Sequence, residues 1–241
     1  MKQKNVAVIN FNTPDLVEAA ILSIKKHGGE DYRYYVFDNS DSKPFRKRMK
    51  GVKRFDNTKG QIIDLDKELE KYPERDVKLG CDTGCDFGSD RHMITVQKMW
   101  DLIPDGFILI DSDILIRESI DFMFMEDMCC CGHVCKCNGP YRIERLAPML
   151  LWINVPLCKA GGATFFDPDR AWALHKGVYD KRNCWDTGAA FLDDIRRLKP
   201  QCRGWRIDIR PIIVHLGNGS WRQNKEDIHK EWLDKHADLW R

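Results

Sequence analysis

The sequence predicts an α/β fold built on a mostly parallel central sheet, and three observations carry that prediction. An apolar run, an amphipathic stretch and a second apolar run follow one another over residues 5–38. Such a strand, helix, strand unit pairs its strands in parallel through a right-handed crossover. A further apolar run, GFILI at 106–110, follows a helix-like segment at 93–103. Finally, three strand candidates end in polar residues: Asn10 and Asn12, Asp38 and Asn39, Asp111 and Asp113. Open parallel sheets bind ligands outside the carboxyl ends of their strands, so these groups are expected on one rim.

Taken in order, NVAVINF (5–11) is the first strand, rich in Val and Ile. Thr13 followed by Pro14 is a helix start, a hydroxyl cap before a proline whose missing N–H is no loss there. Leu16, Val17, Ala20, Ile21 and Ile24 recur at helical spacing, and His27–Gly29 is the stop. RYYVFD (33–38) is the second strand, with the turn-forming DNSDS after it. A basic run, KPFRKRMKGVKR (43–54), reads as a solvated face or as a patch for an anionic substrate or membrane. MITVQKMWDLI (93–103) reads as a helix, and LAPMLLWINV (146–155) is apolar without a clear period. DTGAAFLDDIRRL (186–198) reads as a helix with Phe191, Ile195 and Leu198 on one face. RIDIRPIIVHL (206–216) is strand-like, with Pro211 implying an edge or a bend. From Lys225 the tail is helical, with Ile228, Trp232, His236 and Leu239 at spacings of three and four.

The bulk properties narrow the function classes. The 241 residues are 43% hydrophobic and 32% charged, enough apolar material for a sizeable core, and a single domain is the simplest account. A net charge of +2 implies no general attraction to nucleic acid. No apolar run approaches the ~18 residues of a membrane span, and MKQKNVAVINF passes straight from a basic lead into a strand. A cytoplasmic protein is expected, with the basic run as a route to peripheral membrane contact. For such a protein the ten cysteines are expected as free thiols.

The sharpest signal is GFILIDSDILI (106–116), an apolar run holding two aspartates. Carboxylates buried in a core are costly unless paired or metal-bound. At a strand end the backbone bends, so residues two apart present oxygens to one cation. Hard oxygen donors suit Mg²⁺ or Mn²⁺, ions that share their shell with water and a substrate diphosphate. A plain structural turn is the competing reading of Asp111 and Asp113.

VAVINFNTPDLVEAAILSIKKH followed by YYVFDNSDS resembles the start of a family 2 glycosyltransferase, and GFILIDSDILI resembles the metal-binding Asp-x-Asp motif of that GT-A fold. The resemblance runs over roughly 5–220 and is weakest over 120–170. It implies a GT-A (Rossmann-like) three-layer α/β/α sandwich, with a nucleotide-binding part over about 1–116 and an acceptor-binding part over about 117–241. It implies a nucleotide-sugar site formed by Asn10, Asn12, Asp38, Asn39, Asp90, Arg91, Asp111 and Ser112. Of these, Asp38 matches the contact to the base, and GSDRH (88–92) the segment lining the nucleotide pocket. WDTG (185–188) falls where the family places a catalytic carboxylate, which makes Asp186 the candidate general base and Trp185 a candidate platform for a sugar face. The family's commoner Glu-Asp pair is replaced here by Trp-Asp, and a helix cap is the alternative role for Asp186. VHLGNGSW (214–221) resembles the late histidine–glycine element of several GT-A enzymes, retaining ones included. It offers His215 as a third metal ligand with Asp111 and Asp113, and Ser220 and Trp221 as groups closing over the diphosphate. An imidazole donor favours Mn²⁺ over Mg²⁺.

The implied activity is metal-dependent transfer of a sugar, most plausibly from a UDP-sugar, to a glycan or lipid-linked acceptor hydroxyl with inversion. A retaining transferase and a non-catalytic sugar-nucleotide-binding module are the alternatives. A nucleotidyltransferase would want a Gly-rich basic loop after the first strand, and NFNTPDL is not one. The cysteines permit a zinc site from Cys81, Cys85, His133, Cys135 and Cys137, but their spacing is unlike that of zinc knuckles. MCCCGHV as a buried strand, with cysteine as a small hydrophobe, is the simpler expectation.

Overall fold

The computed structural model describes residues 3–28, 31–71, 87–136, 144–167, 187–198, 202–217 and 225–241. In chain order the elements are β1 (Lys4–Asn10), α1 (Pro14–Gly28), β2 (Tyr32–Asp38), β3 (Val52–Asp56), α2 (Leu65–Glu70), α3 (Phe87–Leu102), β4 (Phe107–Ile110) and β5 (Ile114–Ile116). There follow β6 (Cys130–Lys136), β7 (Glu144–Ile153), α4 (Val155–Ala160), α5 (Ala189–Arg197), β8 (Gly204–Arg206), β9 (Ile213–His215) and α6 (Lys225–Lys235). The elements group into two compact units, each made of discontinuous stretches: 1–62 with 107–124 and 208–241, and 63–106 with 125–207.

The first unit holds the parallel sheet that the strand, helix, strand pattern predicts. β1 pairs in parallel with β2 on one side and with β4 on the other, and β2 pairs in parallel with β3. Val6, Ala7, Val8, Phe107, Ile108, Leu109 and Ile110 are at most 1% exposed. Burial of each large aliphatic side chain contributes about 1.5–3 kcal/mol, so β1 and β4 anchor this unit. α1 covers the sheet with Leu16, Val17, Ala19, Ala20, Ile21 and Ile24, the face its spacing foretold. Asp15 in its first turn and Lys25, Lys26 and His27 in its last complement the helix dipole. Thr13 accepts the Val17 N–H through its carbonyl, while its hydroxyl donates to Ser112 Oγ at 3.1 Å. The expected hydroxyl cap is thus a cross-link from the helix start to the turn after β4.

The strand expected to exit into Asp-x-Asp is observed as β4, and a short strand, β5, follows it. The apolar run at 106–116 is two strands, because the chain turns at Ser112 and Asp113 between β4 and β5. The stretch 206–216, expected as one strand, keeps only β9 in this unit, after a turn at Arg210–Ile212 that contains Pro211 and is closed by Ile212 N–H to Ile209 O at 2.9 Å. The freed piece β9 pairs antiparallel with β5, Ile114 opposite His215 and Ile116 opposite Ile213. Ser23, buried on α1, accepts the Ile116 N–H at 3.0 Å and so ties β5 to the helix. α6 seals this corner: Leu233, with Trp232 beside it, packs with Leu16, Ala19 and Leu115.

In the second unit β6 lies between β7, antiparallel, and β8, parallel. The untyped run at 146–155 is the long strand β7, and MCCCGHV supplies β6 with Cys130 and Cys131 buried as expected. Trp100 of α3 meets Phe191 of α5 edge to face at 5.9 Å, and Phe165 lies 5.4 Å from the same ring. Gln97 Oε1 accepts hydrogen bonds from Thr164 Oγ1, Phe165 N and Phe166 N, and Asp194 Oδ2 accepts one from Thr164 N.

The helix expected over 186–198 begins at Ala189, with Gly188 as its cap in the left-handed conformation, φ +88°. Gly188 O accepts Leu192 N–H of α5 at 3.0 Å and Leu146 N–H of β7 at 3.3 Å. A Cβ at Gly188 would lie 2.1 Å from Leu146 O, whereas Gly162, at φ +73°, has nothing within 4 Å of such a Cβ. Gly188→Ala therefore combines left-handed strain with a backbone clash and is expected to lower stability by about 3 kcal/mol or more. Gly162→Ala bears the strain alone, about 1 kcal/mol. Urea unfolding of the two variants side by side checks the difference; equal losses would show that the contact with β7 yields freely.

Candidate functional site

The carboxyl ends of β1, β2 and β3 are joined by buried polar groups. Asn10 has no exposed surface, and its Nδ2 donates to Asp38 Oδ1 at 2.9 Å and to Ser40 Oγ at 2.8 Å. Its Oδ1 accepts Thr13 N–H at 3.1 Å. Asp38 is equally buried. It accepts from Phe45 N at 2.7 Å and Ser40 N at 3.3 Å, and pairs with Arg54 Nη2 of β3 at 2.8 Å. Asn12 sits at φ +60°, a conformation that asparagine tolerates better than most residues. Its amide reaches across to the loop after β2, accepting from Ser42 N and Lys43 N and donating to Asp41 Oδ1 at 2.7 Å. Asn39 Oδ1 accepts from Asn57 Nδ2 at 2.8 Å. Asn10, Asn12 and Asp38 thus each direct polar atoms into the 38–45 loop, and Asn12 and Asn39 are the half-buried members of the set.

The Asp-x-Asp segment lies past the end of β4. Asp111 and Ser112 are half-buried, and Asp113 is 8% exposed. The β5–β9 ladder brings His215 beside this turn: Leu216 N–H donates to Asp113 O at 3.0 Å, and His215 Nε2 lies 3.4 Å from Asp113 Oδ1. An octahedral ion with donors at about 2.0–2.1 Å has adjacent donors about 3 Å apart. The observed separation fits one cation held by both side chains after a shift of a few tenths of an ångström. Oxygen and imidazole donors suit Mn²⁺ or Mg²⁺. Asp113 and His215 come from opposite ends of the sequence, and an antiparallel pair of three-residue strands unites them.

The other expected site residues are placed as follows. Arg91 lies on α3 and pairs with Asp66 of α2, and Asp90 falls within α3. Trp185, Asp186, Ser220 and Trp221 lie outside the described residues. So do Cys81, Cys85 and Cys137 of the conceivable zinc set, while His133 Nδ1 lies 3.1 Å from Ile207 O. The basic run 43–54 lines a cavity of about 500 Å³, with Arg46, Lys47, Arg48, Lys50 and Arg54 around Phe45, Met49 and Val52. Two features had no clear signature in the sequence. Phe11 is a large apolar side chain left 38% exposed directly after β1. Asp194, with no exposed surface, joins Thr164 to Arg197 through its two oxygens.

Removing the Asp38 charge leaves Arg54 without its buried partner, and breaking a buried ion pair from one side costs about 3–5 kcal/mol. Arg54 is 29% exposed and also reaches Asp56 at 3.1 Å, which softens the loss. Asp38→Asn is expected to lower stability by about 2–3 kcal/mol, and Asp38→Asn with Arg54→Met by less than the sum of the single losses. A denaturation double-mutant cycle reads this directly, and strict additivity would contradict the coupling.

No family model and no curated protein matches the sequence. Solved structures do match the fold. A mouse xyloside xylosyltransferase 1, in its apo form, superposes with a TM-score of 0.52 at 10% identity over 86% of this chain and 85% of its own. An active-site mutant of LgtC superposes with a TM-score of 0.53 at 11% identity over 83% of this chain and 72% of its own. At such identities the likeness concerns the fold, and with the parallel β3-β2-β1-β4 arrangement it gives the chain the α/β architecture of GT-A glycosyltransferases.

Proposed function

We propose that this chain is a metal-dependent glycosyltransferase that moves a sugar from a nucleotide diphosphate sugar, UDP-linked, to an acceptor hydroxyl with inversion. The observation that carries the reading is the approach of Asp113 to His215, 3.4 Å apart at the exit of a buried parallel strand. The GT-A architecture supports sugar transfer in general, and the narrower likeness to family 2 rests on the opening sequence motif.

Asp113 and His215 are the residues that would hold Mn²⁺ or Mg²⁺, and Asp111, whose carboxylate does not join them in a three-donor cluster among the described residues, would act through a metal-bound water. The bound cation would offset the negative charge gathering on the departing diphosphate. Asn10, Asn12 and Asp38 hold the 38–45 loop in shape at the nucleotide end of the site. Asn39 and Ser112 offer polar contacts there, and the exposed ring of Phe11 offers a stacking surface for the base. The resemblance alone assigns Asp90 and Arg91 to the nucleotide, Ser220 and Trp221 to the diphosphate, and Trp185 to the sugar. Asp186 accepts the proton of the acceptor hydroxyl as that oxygen bonds to the anomeric carbon. The bond from that carbon to the diphosphate oxygen breaks through a centre of oxocarbenium character. Attack opposite the leaving group inverts the configuration.

In this reading residues up to about 116, joined by His215, Ser220 and Trp221, serve the donor, and the other later ones the acceptor. The cation-lined cavity at 43–54 suits an anionic glycan or lipid-linked acceptor met at a membrane surface. Among the described residues no helix is long and apolar enough to cross a membrane.

The test is release of nucleotide from UDP-, GDP- and dTDP-sugars with Mn²⁺, with and without chelator. UDP release that chelator abolishes is expected. Asp113→Ala and His215→Ala are expected to weaken Mn²⁺-dependent UDP binding, measured by calorimetry. Asp186→Asn is expected to lower kcat about 10²- to 10⁴-fold with UDP affinity unchanged. UDP binding without turnover of any donor would replace the enzyme by a sugar-nucleotide-binding module. A product anomer of retained configuration, read by NMR, would replace single displacement by the retaining reading.

A further inference from the structure

Cys129, Cys158 and Cys202 are remote in sequence, yet their Sγ atoms all lie within 4.8 Å of one another. Each residue is at most 1% exposed. Cys129 immediately precedes β6, Cys158 lies on α4, and Cys202 lies shortly before β8. Their backbones are fixed by bonds that owe nothing to the sulfurs. Cys129 N–H donates to Arg203 O at 2.7 Å, and Cys129 O accepts Asn154 N–H at 2.8 Å. Cys158 N–H donates to Asn154 O at 2.9 Å, and Cys202 N–H to Leu198 O at 3.1 Å. The side chain of Asn154 caps α4 by accepting Leu157 N–H. The three thiols are therefore brought together by scaffold that is already in place.

We propose that Cys129, Cys158 and Cys202 bind one thiophilic d¹⁰ cation, Zn(II) or Cu(I), as a structural staple joining β6, α4 and the approach to β8. Soft sulfur donors select these ions. A metal–sulfur bond of about 2.3 Å places three trigonal sulfurs about 4 Å apart. The trio as it stands needs a contraction of less than about 1 Å to meet that geometry. Each sulfur that binds releases its proton to solvent, and the cation offsets the negative charge of the thiolates in part, more fully for Zn(II) than for Cu(I).

The opposing reading treats the sulfurs as small hydrophobes filling a core. Cys130 and Cys131 fit that description, as buried neighbours on one strand. Cys129, Cys158 and Cys202 differ, because they come from separate elements and still place their sulfurs at one point, where Cys158 Sγ also donates to Cys129 O at 3.3 Å.

The test uses the full chain, expressed in zinc-supplemented medium and, in a second arm, with copper under reducing conditions, then desalted and assayed for metal. One equivalent of zinc or of copper is expected, the arm that loads identifying the ion. Titration of the reduced, metal-free protein with Co(II) is expected to give a thiolate-to-metal charge-transfer band. Cys129→Ser, Cys158→Ser and Cys202→Ser should each abolish the band and the retained metal, while Cys135→Ser should keep both. Because a serine in a core can unfold the protein, the wild-type measurements decide. Absence of both retained metal and charge-transfer band in the wild type would overturn the proposal. So would a disulfide between two of the three in the protein as isolated, or full metal retention by all three serine variants.

Discussion

Asp38 is a carboxylate with no exposed surface, and the layout of the parallel sheet's edge follows from satisfying it. A buried charge needs a cation and several donors. The cation comes from β3, as Arg54, and the donors come from β1, as Asn10, and from the loop that Asp38 itself begins. Those donors lie on neighbouring strands only because the pairing is parallel and in register, Asn10 beside Asp38 and Asp38 beside Asp56. Parallel pairing in turn depends on α1 as the crossover and on the apolar run of β1. The polar edge and the apolar core therefore specify each other, and a slip of one residue in β1 would break both.

That rigid edge is what a metal and a diphosphate would need. Asp111 to Asp113 leave β4 beside it, and Thr13 of the α1 start is bonded to Ser112 between them. The turn is thereby tied to a helix whose position the sheet already sets. His215 reaches Asp113 only through the β5–β9 ladder, and β5 is held by Ser23 of the same helix. A single helix thus fixes both sides of the candidate cation site. Ligand groups supported this way keep their separation without a metal present, which lowers the reorganisation that binding requires.

Much of this was legible in the sequence, where one element reports its own environment. The apolar spacing of α1, the run of β1 and the exit of β4 into Asp-x-Asp are local patterns, and the structure reproduces them nearly residue for residue. Features decided by distant partners were not legible. Nothing in ILI or IVH shows that each is a three-residue strand awaiting the other. Thr13 has a good capping side chain, but a tertiary partner, Ser112, claimed its hydroxyl. Gly188 looked like an ordinary small residue inside a helix pattern; only the backbone of β7 beside it explains why the helix starts after it. Asn10, Asn12 and Asp38 were visible as polar strand ends, but their bonds into the 38–45 loop depend on the loop's course.

The sulfur trio carries the same lesson into ion choice. The sequence draws the eye to the crowded cysteines at 129–137, yet crowding along a strand sends alternate side chains to opposite faces. Convergence on one point needs donors from separate elements, as Cys129, Cys158 and Cys202 supply. The oxygen and imidazole donors at Asp113 and His215 differ from these in kind. By raw affinity zinc outcompetes manganese and magnesium at almost any site. Selectivity therefore rests on donor type and geometry: sulfur donors suit a soft ion, and oxygen with imidazole a harder one. The two donor sets of this chain are thus suited to different ions, each by the side chains its own elements bring together.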